Sequence, residues 1–339
     1  MKRIIVTRFS AMGDVAMVAS VLKEFQQQHT DTEIIMVSRK PFSTFFEHIP
    51  RLKFHVFDPK YKHKGLTGIY TLFTELKAYK TDFVADLHYN IRSRTLSLFF
   101  KISGYKTQSI DKGRKEKTEL TRPQNKVKKQ LKLTTERYAD VLRKLGFSFN
   151  LSHTLVKEHR LIPTQLLAVL ASDKKKIGIA PFAQHSYKVF PLHKMEAVIQ
   201  RLSTSGEYEV FIFGGGESEK TIAAEWSKKF PKVYNTIGTS NISQELDIIS
   251  HLDLMISMDS SGMHMASLVG TRCLSVWGAT HPFAGFLGFG QSYDDCIQIE
   301  HPNRPSSVYG NKPCDCDGVE AIDLVSSEMV VTRIEEICV

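Results

Sequence analysis

Residues 254–280, LMISMDSSGMHMASLVGTRCLSVWGAT, leave this chain little freedom of fold. Residues 254–258 form an apolar run of strand length. Asp259-Ser260-Ser261-Gly262 is turn and helix-cap chemistry. Residues 263–269 continue as a short helix that Gly270 stops, and residues 273–277 are a second buried strand closed by Gly278. Strand, loop, helix and strand in this order make the repeating unit of a parallel sheet covered by helices. The loop leaves the carboxyl end of a strand and opens a helix, where unpaired N–H groups point outward and phosphorylated ligands bind. Asp259 and His264 span that loop and can face one ligand.

The same alternation runs through the rest of the chain. Residues 3–7 (RIIVT) are a strand, and 14–28 carry helical apolar spacing at Val15, Val18, Ala19, Leu22 and Phe25. Strands follow at 33–38, 54–57 and 83–87, with helical stretches at 41–47 and 69–77. Residues 88–94 read as a polar loop before a helix at 95–102. After a helix at 135–145 the chain turns polar and meets Pro163, which places an interdomain linker there. A second series then runs from 176 to 280. It includes Gly214-Gly215-Gly216 after a strand, which lacks the G-x-G-x-x-G spacing of a dinucleotide fingerprint. A last amphipathic helix covers 326–337. The expected class is α/β, with two Rossmann-like domains at 1–165 and 166–322 and a terminal helix in 323–339.

The chain has 339 residues, 42% hydrophobic and 24% charged, an ordinary profile for a soluble globular protein. No apolar run reaches transmembrane length, and Arg8 and Asp14 interrupt any signal-peptide core, so a cytoplasmic location is expected. Five cysteines without a spaced framework suit a reducing compartment. The net charge is +9, much of it in residues 101–132, which read as a solvated basic face. The sharper reading is an anionic partner: nucleic acid, a membrane surface, or a phosphorylated or carboxylated acceptor. Nucleic acid is disfavoured, since no zinc-finger, RNP-like or helix-turn-helix pattern is present.

Four motifs carry a resemblance. D-S-S-G-M-H-M-A at 259–266 is similar to the D-[ST]-G-x-x-H-x-A motif of glycosyltransferase family 9, the bacterial heptosyltransferase family of lipopolysaccharide synthesis. Ser261 stands at the family's usual glycine, and the glycine comes one place later as Gly262. Residues 8–14 (RFSAMGD) resemble the R-x-S-x-x-G-D start, Lys188-Val189-Phe190-Pro191 resembles K-x-W-P, and residues 86–93 resemble D-x-x-x-N-x-R-S. The resemblance implies a GT-B architecture of two facing Rossmann-like domains, with the last helix crossing back to the first. It implies an inverting, metal-independent transferase without cofactor, moving heptose from ADP-heptose to a lipopolysaccharide core or related lipid-linked saccharide.

Read residue by residue, the resemblance makes Asp14 the catalytic base; by itself Asp14 also reads as a plain complement to a helix dipole. Lys188 would neutralise the donor diphosphate, helped by Gln184 and Ser186. Gly214, Glu217 and Ser240 would flank the base and ribose. Asp259 would contact the donor sugar, beside His264, while the backbone of Ser260, Ser261, Gly262 and Met263 holds phosphate. Ser10, Gly13, His88, Asn90 and Arg92 would meet the anionic acceptor, with His88 an alternative base. Contact with the inner-membrane surface is the implied peripheral partner. Asp315-Cys316-Asp317 spells D-x-D but reads as loop, and Cys296, Cys314 and Cys316 lack zinc spacing. A sugar-nucleotide epimerase of the same architecture and a non-catalytic saccharide-binding protein are the alternatives.

Overall fold

The computed structural model describes residues 1–338. It divides the chain into two compact units: residues 1–112 with 132–152, and residues 113–131 with the chain from 153 onward. The first unit runs β1 (Lys2–Thr7), α1 (Met12–Gln28), β2 (Thr32–Ser38), β3 (Leu52–Val56), α2 (Gly65–Lys77), β4 (Phe83–Asp86), α3 (Ile91–Ile102) and β5 (Lys106–Ser109). After α4 (Arg114–Thr121), which belongs to the second unit, α5 (Thr134–Leu145) returns to the first. Its strands are all parallel, in the order β3-β2-β1-β4-β5. Every residue of β2 is buried, as expected of a strand covered on both faces. On one face Ile69, Leu72, Phe73, Leu96 and Phe100 pack over Ile5, Ile35 and Val84. The chain leaves β1 toward β2 and β4 toward β5, in opposite directions. Their carboxyl ends, where Thr7 is registered with Asp86, therefore frame a crevice where strand order reverses.

The second unit contains α6 (Leu167–Leu170), β6 (Lys175–Ala180), α7 (Leu192–Ser205), β7 (Tyr208–Ile212), α8 (Glu217–Lys229), β8 (Val233–Asn235), α9 (Ile242–Ser250), β9 (Leu254–Met258), α10 (Ser261–Leu268) and β10 (Cys273–Val276). The short β11 (Cys296–Ile297), a hairpin of β12 (Asp315–Cys316) and β13 (Val319–Glu320), and α11 (Ser327–Cys338) complete it. The parallel order β11-β10-β9-β6-β7-β8 reverses between β6 and β9, where Ala180 is registered with Ser257.

Three boundaries differ from the sequence expectation. The first unit ends at Ser152 rather than near 165, because residues 148–152 are bonded to α1: Gln28 Nε2 donates to Asn150 O at 2.8 Å, and Ser152 N–H to Glu24 Oε2 at 2.6 Å. Residues 153–160 are strapped to the second unit, with Lys157 Nζ on Leu252 O at 2.7 Å and Arg160 on Asp247 at 2.7 Å. Part of the basic run is not a solvated face. Leu120 and Leu131 bury against Ala284, and Lys117 lies 4.1 Å over the Phe286 ring. The last helix, expected on the first domain, has its buried face in the second unit: Val330, Val331 and Ile334 join that core, and Ser327 Oγ donates to Lys194 O at 2.9 Å.

Candidate functional site

In the first unit the reversal point is organised by a buried carboxylate. Asp86, fully buried at the end of β4, accepts from His88 N–H at 2.9 Å, Tyr89 N–H at 2.8 Å, Ser93 Oγ at 3.0 Å and Thr7 Oγ1 at 3.3 Å. Burial nonetheless raises its carboxyl above the usual range. This bends the chain so tightly that α3 starts at Ile91, inside the expected loop. Asn90 caps it: its Oδ1 accepts from Ser93 N–H at 2.9 Å while its own N–H donates to Ser93 Oγ at 3.1 Å.

Asp14 sits one turn into α1. Its Oδ2 lies 2.6 Å from the Arg8 guanidinium and 3.3 Å from Ala11 N, and Tyr138 of α5 donates to its Oδ1 at 3.2 Å. Arg8 is anchored in turn by Leu87 O at 2.8 Å and lies 5.7 Å from the Tyr138 ring centroid. Burial opposes its charge, but Tyr138 and Asp14 outweigh burial and hold the guanidinium above its ordinary value. Asp14 thus keeps one orientation while its side chain stays about one quarter exposed.

His88 is corrected as an alternative base. Its Nδ1 accepts Phe9 N–H at 3.2 Å and its Nε2 lies 3.3 Å from the Asn90 amide nitrogen, so both ring nitrogens are engaged within the protein. Burial, reinforced by Arg8, pushes the imidazole down to about 3. Asn90 is committed to its cap, and Ser10 and Gly13 lie partly exposed in and just after the β1–α1 turn. Arg92 is exposed on the first turn of α3.

In the second unit the loops after β6 and β9 meet. Lys188 Nζ lies 2.9 Å from Asp259 Oδ2, with side chains 15% and 5% exposed. Asp259 is therefore not the helix cap: Ser260 occupies that position, and no side chain caps the first turn of α10. Phe190 is fully buried and its N–H faces Met258 Sδ at 3.2 Å, which seats the lysine loop on β9. Gly310 touches the Lys188 stem so closely that a Cβ there would lie 2.2 Å from Lys188 Cγ. Gly262 has no positive φ; it is needed for space, because a Cβ would come within 2.6 Å of the Ala180 Cβ. Ser261 borders the same turn, partly exposed. Met263 and His264 point into the protein, so at Met263 only backbone can reach a ligand.

The remaining donor-side candidates lie on neighbouring loops. Gln184 and Ser186 are exposed on the loop that carries Lys188. Gly214 is hemmed in by Phe182, Ile237 and Glu219, and Glu219 Oε2 accepts Gly215 N–H at 2.6 Å. Glu217 is exposed at the start of α8, and Ser240 precedes the Asn241 cap of α9. Sequence reasoning passed over Arg8, Asp86 and Tyr138 as site residues. Arg8 and Asp86 lay inside quoted motifs, but nothing in the sequence links Tyr138 to Asp14 across 124 residues.

Two other clusters bear on metal chemistry. Asp315 and Cys316 form β12, and Cys296, Cys314 and Cys316 are free thiols, the last two buried. In the first unit His55, His63 and Glu75 bring their ligand atoms within 4.8 Å of one another. That cluster is satisfied internally: His63 Nδ1 accepts Asp58 N–H at 2.9 Å, so its Nε2 carries the proton and donates to Glu75 at 3.2 Å, while Lys62 pairs with the other carboxylate oxygen at 2.8 Å.

The family model of glycosyltransferase family 9 (heptosyltransferase) matches residues 69–308. A lipooligosaccharide heptosyltransferase 2 of Haemophilus influenzae is 26% identical over 119 residues, 33% of this chain; the match spans only about a third, 34%, of that relative. Among solved structures, a glycosyltransferase family 9 protein of Veillonella parvula superposes with a TM-score of 0.74 at 18% identity, covering 99% of this chain and 97% of that one. The E. coli heptosyltransferase WaaC with ADP gives 0.70 at 17% identity, covering 99% of each chain. At these identities the structural likeness speaks for the fold.

Proposed function

This chain belongs to glycosyltransferase family 9, and we propose that it transfers a sugar, a heptose carried by ADP, to a hydroxyl of an anionic lipid-linked saccharide such as a lipopolysaccharide core. The observation that carries this reading is the Lys188–Asp259 pair beside the uncapped first turn of α10, at the reversal point of the second sheet. A lysine and a helix start together meet the charge that grows on a departing diphosphate, and they do so without a metal ion. Asp259 holds the ammonium at the loop that opens α10, and its carboxylate is the proposed acceptor for a sugar hydroxyl. The acceptor oxygen attacks the anomeric carbon from the face opposite the diphosphate, the bond from that carbon to the phosphate oxygen breaks, and configuration inverts. Asp14 takes the acceptor proton. A carboxylate paired with an arginine is a weak base, so the proton moves late, once bond formation has acidified the hydroxyl. Arg92, exposed on the first turn of α3, offers donors to an anionic acceptor.

The test is turnover of ADP-heptose with a core saccharide, with magnesium and with a chelator. Asp14→Ala should abolish transfer yet bind ADP as the parent does by calorimetry. Lys188→Ala should weaken ADP by roughly tenfold or more, the scale of a lost charge-assisted hydrogen bond. Undiminished transfer by Asp14→Ala, or an epimerised sugar-nucleotide formed without acceptor, would overturn the proposal.

A further inference from the structure

The outer surface of α2 and α3 in the first unit is unusual for a protein surface. α3 exposes Ile91, Leu98 and Ile102, which at spacings of seven and four residues share one stripe of the helix. Ile91 is 83% and Ile102 76% exposed. α2 packs beside α3 through Tyr70 and Phe99, whose rings meet at 5.8 Å, and it exposes Leu66 and Tyr70, with Tyr61 just before it. Single exposed leucines need no explanation, but six large apolar side chains on two adjacent helices and their entry loop do.

The exposed charges on these helices and the loops leading into them have one sign, the acids Asp58 and Glu75 being half-buried. Lys60, Lys62, Lys64, Lys77, Arg92, Arg94 and Lys101 are exposed on the same two helices or the loops leading into them. No Asp or Glu occurs in residues 59–74 or 87–110. Glu75, the one acid of α2, is consumed by Lys62, His55 and His63. A second copy of the chain is disfavoured as the occupant, since a two-fold contact would set these cations against one another. A nucleic acid backbone would leave Leu98 and Ile102 unmatched. An apolar stripe bordered by lysine and arginine fits the boundary between headgroups and acyl chains of an anionic bilayer. Among the described residues no helix is long and apolar enough to cross a membrane, so such contact is made by a surface lying on the bilayer.

We propose that the α2/α3 face docks this protein on an anionic lipid bilayer, with Leu66, Tyr70, Leu98 and Ile102 entering the interface and Arg94 and Lys101 meeting headgroup phosphates. The placement has a functional consequence. α3 begins directly after Asn90, so the loop carrying His88 and Asn90 lies at the end of the docked helix. A saccharide tethered to lipid then reaches that loop without leaving the membrane. The docking does not rest on the transfer reading, because it is read without acceptor or donor.

The experiment is co-sedimentation of the full chain with sucrose-loaded vesicles of phosphatidylcholine alone or mixed with phosphatidylglycerol. The parent should bind the anionic vesicles about tenfold or more tightly, with affinity falling as salt rises. Arg94→Glu/Lys101→Glu should lose that preference. Leu98→Gln/Ile102→Gln should weaken binding by roughly tenfold while keeping its salt dependence. All four positions are exposed, so both variants should melt and bind ADP like the parent, which separates lost docking from lost folding. Failure of the parent to sediment with anionic vesicles, equal sedimentation of the variants, or a parent dimer that Leu98→Gln dissociates without any vesicle binding would overturn the proposal. None of these outcomes touches the transfer reading, which loss of turnover tests separately.

Discussion

Gly262→Ala tests whether the start of α10 is held in place by contact with the sheet. The substitution adds one methyl at a backbone conformation that alanine adopts freely. That methyl would lie 2.6 Å from Ala180 Cβ, 2.8 Å from Ser257 Oγ and 3.3 Å from Met255 Cε. Ordinary contact begins near 3.4 Å, so the helix start must retreat by several tenths of an ångström. The sheet cannot yield instead, since Ala180 and Ser257 are registered neighbours on the two central strands. Overpacking of this kind costs about 1–3 kcal/mol. Alanine's better helix propensity returns up to ~1 kcal/mol, which leaves a net loss centred on about 1–2 kcal/mol. For a body in the class of 150–250 residues that is a fall in melting temperature of roughly 2–8 °C. The same displacement moves the N–H groups proposed to hold phosphate, and ADP affinity should fall by about tenfold. Calorimetry gives both readouts. Gly215→Ala is the control: a Cβ there meets nothing within 4 Å, so stability should hold or rise slightly. If Gly262→Ala melts and binds ADP like the parent, the first turn of α10 is not set by the sheet and the phosphate assignment loses its geometric basis.

Burial pushes Glu245, on the first turn of α9, up to about 7 from an ordinary 4.5. The folded state therefore prefers the protonated form, and this group's contribution is lost as pH rises from about 4.5 to 7. Glu245→Gln should stabilise the second unit by about 3 kcal/mol at pH 8 and hardly at all at pH 4.5; equal gains in urea titrations at both pH values would contradict the assignment. His88 works in the other direction. Its value near 3 lies below the unfolded 6.5, so its contribution is complete above pH 6.5 and falls by about 2 kcal/mol by pH 5, as the unfolded chain takes up the proton. In His88→Gln, whose amide oxygen can still accept Phe9 N–H, the loss between pH 7 and 5 should shrink by that amount; an unchanged slope would refute the buried neutral ring. Tyr138→Phe removes one donor from Asp14 at a stability cost of about 1 kcal/mol. It should lower kcat with little change in donor affinity and shift the acidic limb of the pH–rate profile; an unmoved profile would leave Tyr138 a merely structural residue.

Local pattern alone determined the two series of strands and helices, the helix start after Asp259, and the short motifs around Asp14, Lys188 and Asp259. These features depend on neighbours within one turn or one strand, where period, capping chemistry and glycine placement act directly. Contacts between distant segments were decided only by tertiary structure. The stretch 148–152 looked like linker, yet it bonds to α1, because Gln28 and Glu24 satisfy its backbone while Phe149 and Leu151 bury their side chains. The basic run near Lys117 looked solvated, yet Leu120 and Leu131 anchor it. Asp259 looked like a cap and proved to be the partner of Lys188, since parallel strand order brings the ends of β6 and β9 together across 71 residues of chain. His88 looked like a base until Phe9 N–H took its lone pair. Sequence specifies which chemical groups are available, but a lone pair, an ion pair or an added methyl belongs to the space between segments, and strand order sets that space.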